Sequence, residues 1–179
     1  MNPEDKTEEI RQGMAALVGQ RLIRSRNLFA TRIFFFGQSN LQDDAALYTL
    51  GLECAWRIEK DGAIVVGAED YYERAQDNAD ESWEVGMPSG HLQDQGLAEL
   101  LGEIKGGYVV NTGAGFVVES VDGDRFGGFR IRMGECVLSA FPASRGQMEW
   151  ILSPPGDRSL ILMKGRLSRA GEHPAVEKP

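Results

Sequence analysis

The sequence predicts an α+β fold in which a curved or rolled antiparallel sheet of about eight strands is covered by two helices. Residues 48–58 alternate strictly between apolar and polar or small side chains, and several further segments of β character are separated by turns. Strict alternation is typical of a strand with one buried face. Short strands joined by turns favour antiparallel neighbours, because a parallel pair needs a crossover of a dozen or more residues.

We predict that residues 48–58 form one strand, with Leu52, Cys54 and Trp56 on a common buried face. Helical spacing predicts helices over 4–18 and 90–104, the second capped by Ser89. The remaining strands are predicted over 21–27, 30–37, 63–68, 108–111, 116–121, 126–133, 135–141, 147–152 and 159–164.

The 179 residues are long enough for one domain with its own core, which we place at 1–169 with a disordered tail at 170–179. The first residues show no signal region, and no apolar run reaches the roughly 18 residues that cross a bilayer. We therefore expect a cytoplasmic protein with no membrane partner.

The chain carries 27 acidic and 19 basic residues, a net charge of -8. This acidity argues against general binding to nucleic acid or anionic membranes. It either makes a basic protein the better partner or only keeps a cytosolic protein soluble. Cys54 and Cys136 are far apart in the sequence and form no redox or zinc motif, so we expect both to be reduced core residues.

Catalytic, cofactor and metal motifs are also lacking. His91 is the only histidine outside the predicted tail. The segment Gly113-Ala114-Gly115 precedes a strand and is a turn rather than a phosphate cradle, and Asp77-Asn78-Ala79-Asp80 lacks the spacing of a calcium loop. We therefore predict no catalytic residue, no cofactor and no metal site.

Residues 69–84 are the most acidic stretch, with seven acids against Arg74. They form either a solvated loop or a recognition surface for a basic partner. Trp83 either packs the loop against the rest of the domain or anchors that partner. The predicted partner-binding residues are Asp70, Tyr71, Tyr72, Asp77, Asp80, Glu81, Trp83 and Glu84.

An alternative site consists of carboxylates and arginines on neighbouring strands. If those strands pair, Glu53 approaches Asp70, and a polar pocket forms that also holds arginines. The pocket residues would be Glu53, Arg57, Asp70, Arg130 and Arg132. Ordinary surface charge is the other interpretation of the same residues.

Several motifs occur in a recognisable order. They are Glu53-Cys54-Ala55-Trp56-Arg57-Ile58, Val65-Val66-Gly67-Ala68-Glu69-Asp70-Tyr71-Tyr72, Phe126-Gly127-Gly128-Phe129-Arg130-Ile131, Ala140-Phe141-Pro142 and Glu149-Trp150. This order resembles a family of small uncharacterised bacterial proteins with C-x-W-R, G-G-F-R and F-P…E-x-W motifs and no established activity. The resemblance covers about residues 48–164 and implies a single domain and a bacterial origin. Ser139 and Ala140 depart from it, because an acidic residue often precedes the Phe-Pro pair in that family.

Two functional hypotheses follow. The leading one is a non-catalytic protein-binding factor, such as an immunity-like inhibitor of a basic bacterial protein. The alternative is a small-ligand binder or hydrolase that uses carboxylates and arginines in a sheet pocket. A concave pocket holding Glu53, Arg57, Asp70 and Arg130 would favour the alternative, and a flat acidic face with an exposed Trp83 would favour the leading hypothesis.

Overall fold

The structure is a computed structural model that describes residues 5–29, 31–38, 46–73, 91–143 and 147–171. Within these ranges the helices are α1 (Thr7–Met14) and α2 (Leu92–Leu101). The strands are β1 (Arg21–Leu28), β2 (Thr31–Gly37), β3 (Tyr48–Leu52), β4 (Ala55–Lys60), β5 (Ala63–Gly67), β6 (Gly102–Lys105), β7 (Tyr108–Asn111), β8 (Ser120–Gly123), β9 (Phe129–Met133), β10 (Cys136–Phe141), β11 (Met148–Ser153), β12 (Leu160–Met163) and β13 (Arg166–Arg169). The predicted α+β class is confirmed.

These strands form two sheets, and all of their pairings are antiparallel, as predicted. The larger sheet has the predicted eight strands, in the order β13-β12-β11-β3-β2-β1-β7-β6, but it is not strongly curled. Five strands form a second sheet in the order β5-β4-β10-β9-β8.

The two sheets share one hydrophobic core. Phe34 of the large sheet meets Trp56 of the small sheet edge to face, with ring centroids 5.3 Å apart, and Trp150 meets Phe129 in the same way at 5.4 Å. Edge-to-face pairs stabilise a core beyond the area they bury. The inner faces therefore pack on each other through aromatic contacts.

The prediction of one strand over 48–58 is wrong. The strand β3 ends at Leu52 in the large sheet, and β4 begins at Ala55 in the small one. At the break, the backbone N–H groups of Glu53 and Cys54 both donate to the Glu149 carbonyl, at 2.9 and 3.0 Å. Leu52, Cys54 and Trp56 nevertheless share the buried core, as the alternation predicts.

The first helix is shorter than predicted, because α1 ends at Met14 and a 3-10 turn follows at Ala15–Leu17. The buried residue Ile10 of α1 packs against β8. At this contact Gly123 of β8 lies so close to the helix that an added Cβ would be 2.7 Å from the Thr7 carbonyl oxygen. Glycine at this position therefore lets the helix backbone approach the strand closely.

The second helix is also shorter than predicted. Helix α2 ends at Leu101, and Gly102, with φ +137°, begins the edge strand β6 instead of a further helical turn. The residue that caps α2 is His91, whose Nδ1 accepts from the Asp94 backbone N–H at 3.3 Å. Ser89, the predicted cap, lies outside the described residues.

Other differences concern strand ends. The predicted strand 116–121 is largely wrong, because Phe116 has φ +64° and regular pairing begins only at Ser120. The sequence pattern missed β13, an edge strand. Of the predicted tail, residues 172–179 lie outside the described ranges, whereas the Ala170 N–H donates to the Ser159 carbonyl at 2.8 Å.

Neither of the described helices has the length and apolar character to cross a bilayer.

Candidate functional site

A polar cleft lies on the outer face of the five-stranded sheet. The antiparallel register aligns Arg57 of β4, Ser139 of β10, Arg130 of β9 and Asp122 of β8 in one row. Their neighbours along each strand face the core, so this row lies on the opposite face. These four residues line a cleft of about 210 Å³ together with Gly123, Asp124, Phe129, Ala140 and Phe141.

Glu59 holds the two arginines of the cleft. Arg57 Nε donates to Glu59 Oε1 at 2.6 Å, and Arg130 Nη2 lies 3.7 Å from Glu59 Oε2. The Arg57 guanidinium also lies over the Phe141 ring, 4.8 Å from its centroid. These contacts position Arg57, whose side chain is 41% exposed, more firmly than Arg130, which is 64% exposed.

Ser139 lies between the two arginines and is 1% exposed. Its hydroxyl is buried and makes no hydrogen bond within the described part of the chain. Burying an unpaired polar group costs roughly 1–3 kcal/mol. A ligand that supplies a hydrogen-bond partner in the cleft would remove this cost.

Acidic side chains line the other side of the cleft. Asp124 Oδ1 accepts from the backbone N–H groups of Phe126 and Gly128, at 2.7 and 2.9 Å, and so fixes the turn between β8 and β9. Asp122 stands opposite Arg130 in the register. The cleft therefore offers cationic donors and anionic acceptors within one row of neighbouring strands.

The structure brings together only some of the residues predicted for the alternative pocket. Arg57 and Arg130 share the cleft, and Arg132 lies in the next row, opposite Val137. Glu53 accepts from Thr31 Oγ1 at 3.3 Å, and Asp70 Oδ2 accepts from the Gly67 N–H at 2.7 Å. Neither Glu53 nor Asp70 lines the cleft.

Sequence reasoning missed the other polar residues of the cleft: Glu59, Asp122, Asp124 and Ser139. None of them belongs to a local motif, because they are contributed by three strands and the turn that follows one of them. They can be identified only from the strand register, which pairs Ser139 with Arg57 and Arg130.

The acidic stretch is described only at its start. Residues Glu69–Tyr71 form a short 3-10 turn, in which Tyr71 is 8% exposed, whereas Tyr72 is 57% exposed. The two rings pack edge to face at 5.3 Å. A small hollow beside them is also lined by Glu53 and Glu69. The other predicted partner-binding residues lie outside the described ranges: Asp77, Asp80, Glu81, Trp83 and Glu84.

A buried ion pair and the neighbouring Gln93 together join α2 to both sheets. Arg32 of β2 is 1% exposed and donates from Nη1 to Asp94 Oδ1 at 2.6 Å and from Nε to Ser25 Oγ at 2.6 Å. The adjacent Gln93 Nε2 donates to the carbonyls of Gly67 and Ala68, both at 3.1 Å. This cluster joins the large sheet, the helix and the end of β5, and it therefore stabilises the packing of these elements.

His91 belongs to the same cluster and should make stability depend on pH. Burial lowers the pKa of His91, the Asp94 carboxylate opposes this shift and the Arg32 charge adds to it. The unfolded chain therefore takes up the proton at a higher pH than the folded chain. The free energy of unfolding should fall as pH drops below about 6.5, the ordinary histidine pKa, until the folded form is also protonated.

We expect H91N to weaken this pH dependence, because asparagine retains an N-cap acceptor but does not titrate. Urea unfolding of both proteins at about pH 7.5 and about pH 5.5 measures the difference. If both proteins lose the same free energy of unfolding between these two pH values, His91 is not the cause of the pH dependence.

The cysteines offer no reactive thiol to a site. Cys54 and Cys136 are buried and form no disulfide. Burial, reinforced by the Glu149 carboxylate, raises the pKa of Cys54 to about 12, and burial also raises the pKa of Cys136. Both thiols are therefore protonated at neutral pH. Among the described residues, no group of three histidine, cysteine or acidic side chains is arranged to hold a metal ion.

Comparison with known proteins gives no family assignment. No family model matches the chain, and no curated protein or solved structure matches it significantly. The resemblance to small bacterial proteins therefore stays a prediction.

Proposed function

We propose that this protein binds a small carboxylate-bearing ligand in the cleft between Arg57 and Arg130. The observation that carries the proposal is the buried Ser139 hydroxyl, which has no hydrogen-bond partner in the described structure and lies between two cationic side chains. Charge-assisted hydrogen bonds from guanidinium and hydroxyl groups are the usual means of holding a carboxylate.

The geometry of Ser139 supports ligand binding rather than nucleophilic attack. Hydrolysis by a serine nucleophile needs a base within hydrogen-bonding reach of the hydroxyl. In the described structure, Ser139 Oγ has no such neighbour. The cleft, at about 210 Å³, is also small, so the group it encloses should contain only a few heavy atoms.

We expect S139A to bind acetate and propionate roughly tenfold more weakly or worse than the wild type, since a hydrogen bond to a charged group contributes about 1.5–3 kcal/mol. Its thermal stability should stay the same or rise, because the unpaired buried hydroxyl is removed. NMR titration with each acid measures the affinity, and a melting curve measures stability.

The matched control is S153A, because Ser153 Oγ already pairs with Ser159 Oγ at 2.8 Å in the other sheet. This variant should bind both acids as the wild type does. The proposal fails if no carboxylate binds saturably, or if S139A and S153A have the same affinities.

The protein-binding hypothesis remains a second candidate because Tyr72 is exposed beside the Glu53 and Glu69 carboxylates. Such a surface suits the lysine or arginine side chains of a basic partner. We expect a lysine-rich peptide to associate more slowly as salt is raised, with a smaller effect on dissociation.

The Y72A variant should speed the peptide's release, and neutralising Asp77, Asp80 and Glu81 together should slow capture without unfolding the protein. Surface plasmon resonance resolves the two rates. If neither variant differs from the wild type, this surface does not recognise basic partners.

A further inference from the structure

The charges around the cleft restrict its ligand further. Arg57 and Arg130 both contact the single carboxylate of Glu59, which neutralises one of their two positive charges. Two more carboxylates, those of Asp122 and Asp124, line the opposite side. A dicarboxylate or phosphate would therefore place its second negative charge against acidic side chains, which is unfavourable.

From this arrangement we infer that the ligand is a small zwitterion, an amino acid whose carboxylate meets Ser139 and the arginines while its ammonium group meets Asp122. The inference rests on the proposed carboxylate binding and adds a positively charged ammonium group to the ligand. An ammonium group has three donors and no acceptor, so it requires an acceptor such as a carboxylate.

Asp122 is the better placed of the two acids. Asp124 Oδ1 already accepts from two backbone N–H groups and holds the turn. Asp122 lies in the row of Arg130 and Ser139, one strand beyond Arg130. Neighbouring strands are about 4.8 Å apart, so the backbones at Ser139 and Asp122 are about 10 Å apart, a span that a short amino acid covers together with its hydrogen bonds to the two side chains.

The cleft wall also suits an amino acid with a short carbon chain. Phe141 is held under the Arg57 guanidinium and contributes an apolar surface beside the cationic donors. A ligand whose carboxylate meets Ser139 and Arg57 would place that end beside this surface, and its carbon chain would run across β9 towards Asp122. The guanidinium groups of Arg57 and Arg130 only donate hydrogen bonds, so they fix which end receives the carboxylate.

The test compares matched probes that differ only in the amino group: acetate with glycine, propionate with β-alanine, and butyrate with γ-aminobutyrate. In the wild type we expect at least one amino acid to bind roughly tenfold tighter than its deaminated partner, as for a charge-assisted hydrogen bond in a partly buried site. D122N should remove this preference, and because it also removes a negative charge from the cleft it should raise the affinity for the deaminated acid.

The control variant is D157N, whose parent residue lies in the turn between β11 and β12 and, among the described residues, accepts only from the Arg158 N–H at 2.6 Å. It should keep the preference for the amino acid. If the deaminated acids bind in a Ser139-dependent way but no amino acid binds tighter, the inference is overturned and the proposed function stands. If D122N retains the preference, Asp122 is not the acceptor; if no probe binds, both proposals fail.

Discussion

Replacing Trp150 with alanine is expected to lower the free energy of unfolding by about 3–5 kcal/mol, the usual cost of truncating a buried tryptophan. Trp150 is fully buried, and its ring packs against Phe129 of the other sheet at 5.4 Å. Its Nε1 donates to the Gly127 carbonyl at 2.7 Å. The substitution therefore leaves both a cavity between the sheets and a carbonyl without its partner.

W150F separates these two effects, because phenylalanine retains most of the ring contact but cannot donate to Gly127. Its cost should be clearly smaller than that of W150A, and urea unfolding measures both. The Gly127 carbonyl belongs to the turn that Asp124 fixes at the edge of the cleft. A W150A protein with wild-type stability would show that the sheets are not held together at this position.

The sequence was most informative where one physical signal dominated. Alternation predicted that Leu52, Cys54 and Trp56 share a buried face, and all three lie in the core. The same alternation concealed the passage from one sheet to the other, because the pattern continues through Glu53 and Cys54 without interruption. The Glu149 carbonyl that receives both N–H groups at this break lies far away in the sequence.

The end of α2 shows a related limit. Leu97, Leu101 and Ile104 continue the helical spacing, so the sequence predicts a helix beyond Gly102. In the structure, Gly102 has φ +137° and the chain turns into β6, which pairs with β7. This strand pairing depends on residues 108–111, and a local pattern does not contain it.

The candidate site was predictable only in part. Arg57 and Arg130 could be chosen as exposed charges on strands, but Ser139 between them carries no local signal. It becomes notable only when the register buries it without a partner. Arg32 is the opposite case, because a charged residue at the start of an apolar strand is ordinarily exposed, and only the approach of α2 brings Asp94 to it.

That ion pair gives the second large expected effect. D94N should cost about 3–5 kcal/mol, because it leaves the Arg32 guanidinium buried without a compensating charge. The Asp94 Oδ1 atom lies 2.6 Å from Arg32 Nη1, and both side chains are largely shielded from solvent. Urea unfolding at neutral pH measures the cost.

Two further variants test the cause. The double variant R32M/D94L removes both charges and should be more stable than D94N, since replacing a buried pair with apolar groups is often neutral. E8Q removes the exposed partner of Arg11 on α1 and should change stability little, because both side chains of that pair are more than half exposed. If D94N lowers the free energy of unfolding as little as E8Q does, water already reaches the Arg32 guanidinium. The cluster that joins α2 to the two sheets would then be held by the hydrogen bonds of Gln93 rather than by charge.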